Sequence, residues 1–190
     1  MYCGDERKYA NTVLMRLCVR ALISRRQSGR FESTNVIFID AGGGNNSDIY
    51  QCINFSRQYG LDIKKVLQSI MITRAFTIYQ LAYLLIYELP KIIQKFNAKV
   101  VMIADLLHLF TEQDPNIDCN EAISLIKEIT NSIRKTLDNT LIVVSFQHQY
   151  NHKSYAYHKM LLPRFDKHIE ITRNNSSCKI NLLDVKIHNN

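Results

Sequence analysis

Short apolar runs alternate with segments of helical periodicity along most of this chain. The apolar runs that predict buried strands occupy residues 35–40, 69–73, 100–105 and 140–145. The helix-period segments occupy residues 11–26, about 48–58, 77–96 and about 120–137. Strands without polar alternation are covered on both faces, which is typical of parallel strands joined by helices. The pattern therefore predicts an α/β fold whose mostly parallel sheet is flanked by helices.

Local signals indicate where these elements end. Residues 41–46 read AGGGNN, a composition that favours a loop after the first strand. Pro90 is expected to kink the helix that contains it, because proline lacks a backbone N–H donor. In the tail, residues 165–172 and 178–185 alternate apolar with polar around a polar NNSS turn. That alternation predicts a C-terminal antiparallel hairpin.

Composition bounds the number of domains and the class of partner. A chain of 190 residues with 46% apolar composition is long enough for one buried core, so residues 1–190 are interpreted as a single domain. The net charge of +7 favours a polyanionic partner such as nucleic acid, while a charge surplus that serves solubility is the alternative.

Cysteine spacing and hydropathy bear on location. The five cysteines show no CxxC spacing, which favours a reducing, cytoplasmic compartment over a zinc knuckle or a disulfide framework. The longest apolar run, residues 81–89, is far shorter than the ~20 residues of a membrane span. Charged residues 5–8 interrupt any signal-peptide core. We therefore expect a soluble protein that is not exported and has no membrane partner.

Taken in order, several segments resemble the ATPase core of the RadA-type recombinases, relatives of RecA. VIFID at 36–40 resembles the second core strand of that family, RQYGLD at 57–62 its "RYGLD" helix end, and ITRAFT at 72–77 its "ARAFN" segment. Residues 100–110 resemble the acidic "LLIVDSLTSHF" strand, and residues 141–147 resemble "VVVTNQ". The last two strands of the family resemble residues 169–173 and 178–180. The resemblance implies a RecA-like P-loop NTPase core that ends in the antiparallel hairpin.

Two parts of such proteins have no counterpart here. The N-terminal helical domain of the family has no counterpart in this sequence, and its first core strand is reduced to residues 1–3, as expected either for a core-only paralogue or for a sequence that starts late. No GxxxxGK[ST] motif occurs in the chain. If Gly4 is the first glycine of the phosphate loop, Ala10 and Asn11 stand where lysine and Ser/Thr belong, and Asn11 or Thr12 offers at best a weak Mg²⁺ contact.

The resemblance also assigns the acidic groups of the nucleotide site. Gly42 stands where the family has the glutamate that activates the attacking water. Asp105 corresponds to the carboxylate near Mg²⁺, and Gln147 to the glutamine that senses the nucleotide. Phosphoryl transfer depends on positioned charge around the γ-phosphate, so these two groups are not sufficient. The resemblance therefore implies a degenerate site with no catalytic residue, and with weak ATP and Mg²⁺ binding as its residual capacity.

The two segments that correspond to the DNA-binding loops of the family differ in charge in this chain. Residues 110–118 carry acidic side chains where the family has arginines, whereas residues 147–159 mix basic and aromatic side chains. Aromatic stacking combined with phosphate neutralisation suits single-stranded DNA. The candidate DNA-binding residues are Lys153, Tyr155, Lys159, Arg164 and Lys167. An exposed polar loop without a function is the alternative, and the histidines at 148, 152 and 158 lack a nearby cysteine or carboxylate to complete a metal site.

These observations favour a non-catalytic recombinase paralogue that assists DNA recombination or repair. Its partner would be single-stranded DNA, an active RadA-type recombinase, or both. One alternative is a functional DNA-dependent ATPase whose phosphate site is non-standard or receives Lys8 in trans from a neighbouring subunit. The other is a RecA-like scaffold or signalling domain without a DNA role.

Overall fold

Four parallel strands form the central sheet of the molecule, in the order β2–β1–β3–β4. The computed structural model describes residues 4–23, 35–42, 49–113, 117–136, 140–146, 152–174 and 177–184. The strand bounds are β1 Asn35–Asp40, β2 Ile70–Arg74, β3 Ala98–Ala104 and β4 Leu141–Val144. The prediction of an α/β fold with a parallel sheet flanked by helices is confirmed.

Two layers of helices cover the sheet, one on each face. The first layer contains α1 Gly4–Ile23, α2 Ile49–Gln58 and α3 Ile63–Ser69. The second contains α4 Ile78–Tyr83, α5 Leu89–Phe96, α6 Cys119–Lys135 and α7 His152–Leu161. In β1, Val36 and Phe38 pack with the first layer, while Ile37 and Ile39 pack with the second. Each such buried side chain contributes roughly 1.5–3 kcal/mol relative to exposure.

The C-terminal strands form a separate two-stranded antiparallel sheet. Strand β5 spans Lys167–Asn174 and β6 spans Ser177–Asp184, with Asn174 paired to Ser177 beside the turn. The predicted hairpin is confirmed. A 3₁₀ turn, Leu162–Arg164, precedes it, and Arg164 donates to Thr130 Oγ1 (3.2 Å) and Asn131 Oδ1 (2.8 Å) on α6.

The sequence pattern predicts no element for helix α3, which lies between the predicted helix 48–58 and the predicted strand 69–73. Gly60 ends the preceding turn with φ +63°, a conformation that glycine adopts without strain. Asp62 then caps α3, accepting hydrogen bonds from the N–H groups of Lys64 (3.0 Å) and Lys65 (3.3 Å). The Gly60 turn and the Asp62 cap therefore allow a separate short helix to form directly before β2.

The helix that contains Pro90 is distorted one turn before the proline. A π-helical turn, Leu84–Glu88, joins α4 to α5, and the Leu89 N–H donates to the Leu84 carbonyl five residues earlier. Pro90 has no N–H for the carbonyls of the preceding turn. Ser132 Oγ on α6 donates to the carbonyls of Leu85 (3.1 Å) and Ile86 (3.4 Å) instead. The predicted disruption is therefore a widened turn, and a hydroxyl from α6 donates to its carbonyls.

The interpretation of residues 147–159 as a loop is wrong for the part that the structure describes, because α7 begins at His152. Tyr157 and Leu161 lie four residues apart on this helix and are buried in the core. The Tyr157 ring packs edge-on against Phe110, with 6.4 Å between centroids. Burial raises the pKa of Tyr157 to about 12, and the nearby Cys119 acts in the same direction. The predictions for residues 24–26, 43–48 and 147–151 lie outside the described residues.

Two thiols are buried between the sheet and its first helical layer. Cys18 on α1 and Cys52 on α2 belong to the same hydrophobic cluster, and both are almost wholly inaccessible to solvent. Burial raises the pKa of the Cys18 thiol far above its ordinary value and raises that of Cys52 as well. In the described part of the chain, no helix is long and apolar enough to cross a membrane.

Ser132→Ala is expected to lower the free energy of unfolding by about 1–2 kcal/mol, because the hydroxyl donor that the Leu85 and Ile86 carbonyls share would be lost. Urea unfolding followed by circular dichroism measures the change. Ser69→Ala is the matched control, since the Ser69 hydroxyl donates to a carbonyl on the exposed surface of its own helix (Lys65 O, 2.8 Å). An equal loss in both variants would contradict the role of Ser132.

Candidate functional site at the carboxyl edge of the sheet

The carboxyl ends of β1 and β3 form the topological switch point of this sheet. From β1 the chain continues to α2 in the first helical layer, whereas from β3 it continues to α6 in the second. Diverging connections open a crevice outside the strand ends, where open α/β sheets bind their ligands. The side chains at these strand ends therefore constitute the candidate site.

Asp40, the last residue of β1, is fully buried at this edge. Its Oδ1 accepts a hydrogen bond from the Gly42 N–H at 3.1 Å, and its Oδ2 lies 3.7 Å from Arg74 Nε. Arg74 ends the neighbouring strand β2, in register with Asp40, and its side chain is 43% exposed. The pairing fixes a carboxylate inside the protein while the guanidinium reaches solvent.

Asp105 directly follows β3 and adopts a left-handed backbone conformation, with φ +59°. It is buried, and its N–H donates to Ser145 Oγ at 3.0 Å. The Ser145 N–H donates to the Ile103 carbonyl, and its carbonyl accepts from the Leu106 N–H. A non-glycine residue in this region costs of order 1–2 kcal/mol, which the surrounding hydrogen bonds must offset. The structure thus places the predicted Asp105 at the switch point, held by the end of β4.

The predicted phosphate loop is replaced by helix. Gly4 is the first residue of α1, and residues 4–11 continue without a break into the rest of that helix. The interpretation of this segment as a loop is therefore wrong. The physical reason is local, because residues 5–28 contain neither glycine nor proline and two acidic residues follow Gly4, which suits a helix start.

The other residues assigned to the nucleotide site lie on different elements. Asn11 is buried and Thr12 is half-buried on α1. Gly42 is buried beside Asp40 and provides a backbone N–H rather than a carboxylate. Gln147 lies outside the described residues. The strand edge therefore brings together Asp105 and Gly42 from the predicted set.

The five DNA-binding candidates follow one another on α7, the 3₁₀ turn and β5. Tyr155 and Lys159 are exposed one helical turn apart on α7, and Lys167 is exposed at the start of β5. Arg164 is half-buried and hydrogen-bonded to α6 as described above. Lys153 lies in the first turn of α7, where the structure does not describe its side chain. A continuous segment thus carries these residues, although in a helix rather than a loop.

Sequence reasoning missed Asp40, Arg74 and Ser145 as members of the site. A signal was present, because Asp40 and Ser145 are the first polar side chains after their apolar runs, and Arg74 follows Thr73 at the end of another. Chemically, the edge offers two carboxylates and a partly exposed guanidinium, which can bind a cation or orient a polar ligand. Among the described residues, no group of three or more His, Cys, Asp or Glu side chains is placed to hold a metal ion.

Sequence comparison assigns this chain to no family. No protein-family model matches it, and no curated protein gives a significant match.

The Asp40–Arg74 pair is expected to show a coupling free energy of about 1 kcal/mol, because one partner is buried and solvent screens the other only in part. A double-mutant cycle with Asp40→Asn and Arg74→Gln, followed by urea unfolding, measures it. The asparagine retains an acceptor for Gly42.

Glu88 and Lys91 provide the matched control cycle, since they form a shorter pair (2.9 Å) on the solvent-exposed surface. Solvent screening should reduce its coupling below that of Asp40–Arg74. A larger coupling at Glu88–Lys91 than at Asp40–Arg74 would contradict the role of burial.

Proposed function

We propose that this protein is a RecA/RadA-like recombinase paralogue that does not hydrolyse ATP. In this proposal it acts in DNA recombination or repair by binding single-stranded DNA, an active recombinase, or both. The observation that carries the non-catalytic part is the helix at residues 4–11, where ATP hydrolysis would need an open phosphate loop.

The placement of the resembling segments supports the family part of the proposal. The VIFID segment lies in β1, RQYGLD at the end of α2 and ITRAFT across the end of β2. Asp105 lies at the carboxyl end of β3, next to β1 and β4 in the sheet. These elements occur in the sequence order that the resemblance implies, and all the strands concerned are parallel.

The surface of α7 supports binding to single-stranded DNA. Tyr155 offers an exposed ring for base stacking, and Lys159 places a positive charge one turn away on the same side of the helix. Lys167 is flanked in sequence by the exposed acidic residues Asp166 and Glu170, which reduce its attraction for phosphate. Lys159 is therefore the cation from which we expect the larger contribution.

Millimolar ATP with Mg²⁺ is expected to leave the melting temperature unchanged, because a helix at residues 4–11 offers no cradle for a triphosphate. A ligand that binds only the folded state would raise the melting temperature by mass action. Differential scanning fluorimetry measures the melting temperature with and without ATP and Mg²⁺. A saturable ATP-dependent rise together with phosphate release would overturn the non-catalytic proposal.

Single-stranded DNA is expected to bind with an affinity that falls as salt concentration rises, since neutralised phosphates release counterions. Lys159→Glu should weaken binding and lower the salt slope by about 0.7 or more, because a phosphate contact is lost and a repulsion is added. Fluorescence anisotropy with a labelled oligonucleotide measures both quantities.

Lys65→Glu is the matched control, because it makes the same charge change on the exposed surface of α3 in the other helical layer. Equal weakening by the two variants would indicate attraction by net charge alone and contradict a site on α7. Binding to neither DNA nor a RadA-type recombinase would remove the proposed role.

A further inference from the structure

A ladder of exposed tyrosines runs along α4, the π turn and α5. Tyr79, Tyr83 and Tyr87 are four residues apart, and each is 57% exposed. Phe76, just before α4, is 55% exposed. Contiguous exposed aromatic side chains mark interaction surfaces, where tyrosine is enriched. We call these four side chains the aromatic ladder.

The π turn keeps the ladder on one side of the helix. Positions four residues apart drift by about 40° per step around a regular α-helix. Here a second ladder with the same spacing, Leu81, Leu85 and Leu89, is fully buried on the opposite side. A π turn holds more residues per turn, so it offsets the drift that would separate the exposed rings. Such turns occur frequently at functional sites.

Side-chain contacts fix the rings before any partner binds. The rings of Tyr83 and Tyr87 lie 5.6 Å apart between centroids. The hydroxyl of Tyr83 lies 3.3 Å from Glu88 Oε1, and the hydroxyl of Tyr79 lies 2.8 Å from Glu121 Oε1 on α6. Preorganised aromatic side chains lose little conformational entropy on binding. The ladder is therefore suited to a protein interface.

The surface is complementary to itself in the reversed direction. When two copies pack antiparallel about a two-fold axis at the level of Leu85, Tyr79 of one copy faces Lys91 of the other, and Tyr83 faces Tyr87. All four side chains are exposed. Reversal therefore also brings Lys91 towards Glu121, which binds Tyr79, so that opposite charges meet. A two-fold interface requires this relation, in which residue i contacts j and j contacts i.

We propose that this protein forms a two-fold symmetric homodimer in which the aromatic ladders of two copies pack antiparallel. The tyrosines form the centre of the interface, and Lys91 of each copy, which lies 2.9 Å from Glu88 of its own copy, also approaches Glu121 of the other copy at its ends. The carboxylates of Glu88 and Glu121 accept from ladder hydroxyls and place negative charge beside the rings, which disfavours phosphate. A second copy supplies both the aromatic surface and the matching cation.

The proposal is tested on the full chain, without nucleotide or DNA, by sedimentation velocity over a concentration series. The unmodified protein should show a monomer–dimer equilibrium. Tyr83→Lys should raise the dimer dissociation constant about tenfold or more, because it buries a charge at the centre of the interface. Tyr50→Lys is the matched control, since Tyr50 is an exposed tyrosine on α2 in the other helical layer and its replacement should leave the equilibrium unchanged.

Exchange of the two charges that meet between the copies tests the antiparallel register separately. Lys91→Glu and Glu121→Lys should each weaken the dimer, and the double variant should restore it because the pair between copies is re-formed with reversed signs. Circular dichroism checks that each variant is folded. Weakening by both single variants without restoration in the double variant would overturn the register.

Three results would overturn the proposed dimer. They are a monomer at all concentrations, a dimer insensitive to Tyr83→Lys, and loss of single-stranded DNA binding in Tyr83→Lys without a change in mass. Because mass is the readout, the proposal can fail while the proposed DNA role holds, and the reverse is also true.

Discussion

Burial of β1 on both faces is the constraint on which the rest of the structure depends. A strand paired in parallel on both edges, with apolar side chains towards both faces, needs helices above and below it. The chain satisfies this by placing α1, α2 and α3 on one face and the helices from α4 to α7 on the other. The connections that follow β1 and β3 therefore diverge, and the switch point at Asp40 and Asp105 is a consequence of covering the sheet.

The sequence predicted those elements whose signal is local and strong. β1 was placed with its observed bounds because a continuous apolar run ends in a carboxylate at Asp40. Helix α3 was missed because it spans seven residues and buries Val66 alone among them, so it has little periodicity. In α7, polar residues surround Tyr157, and only the tertiary contact with Phe110 shows that this ring belongs to the core. Pro90 indicated a distortion, but the sequence does not show that the π turn lies one turn earlier or that Ser132 on α6 donates to its carbonyls.

The candidate site was predictable to a smaller extent. Asp105 was assigned from the resemblance, and it is also the polar end of a buried strand, at the edge where open α/β sheets bind ligands. The partnership of Asp40 with Arg74 depends on strand register, which the sequence does not contain locally. The resemblance to a recombinase core suggested a loop at residues 4–11, and the local preference for helix prevailed there. The apolar runs thus predicted the strand positions better than the resemblance predicted the conformation of residues 4–11.

The buried thiols of the first helical layer have a practical consequence. Cys18 and Cys52 lie in the cluster that attaches α1 and α2 to the sheet, and burial keeps both protonated. A thiol reagent therefore reacts with Cys18 only when α1 separates from the strands, since the thiolate is the reactive form. The labelling rate of this side chain reports how often the layer opens, so Cys18 is an intrinsic probe of local unfolding in the first helical layer.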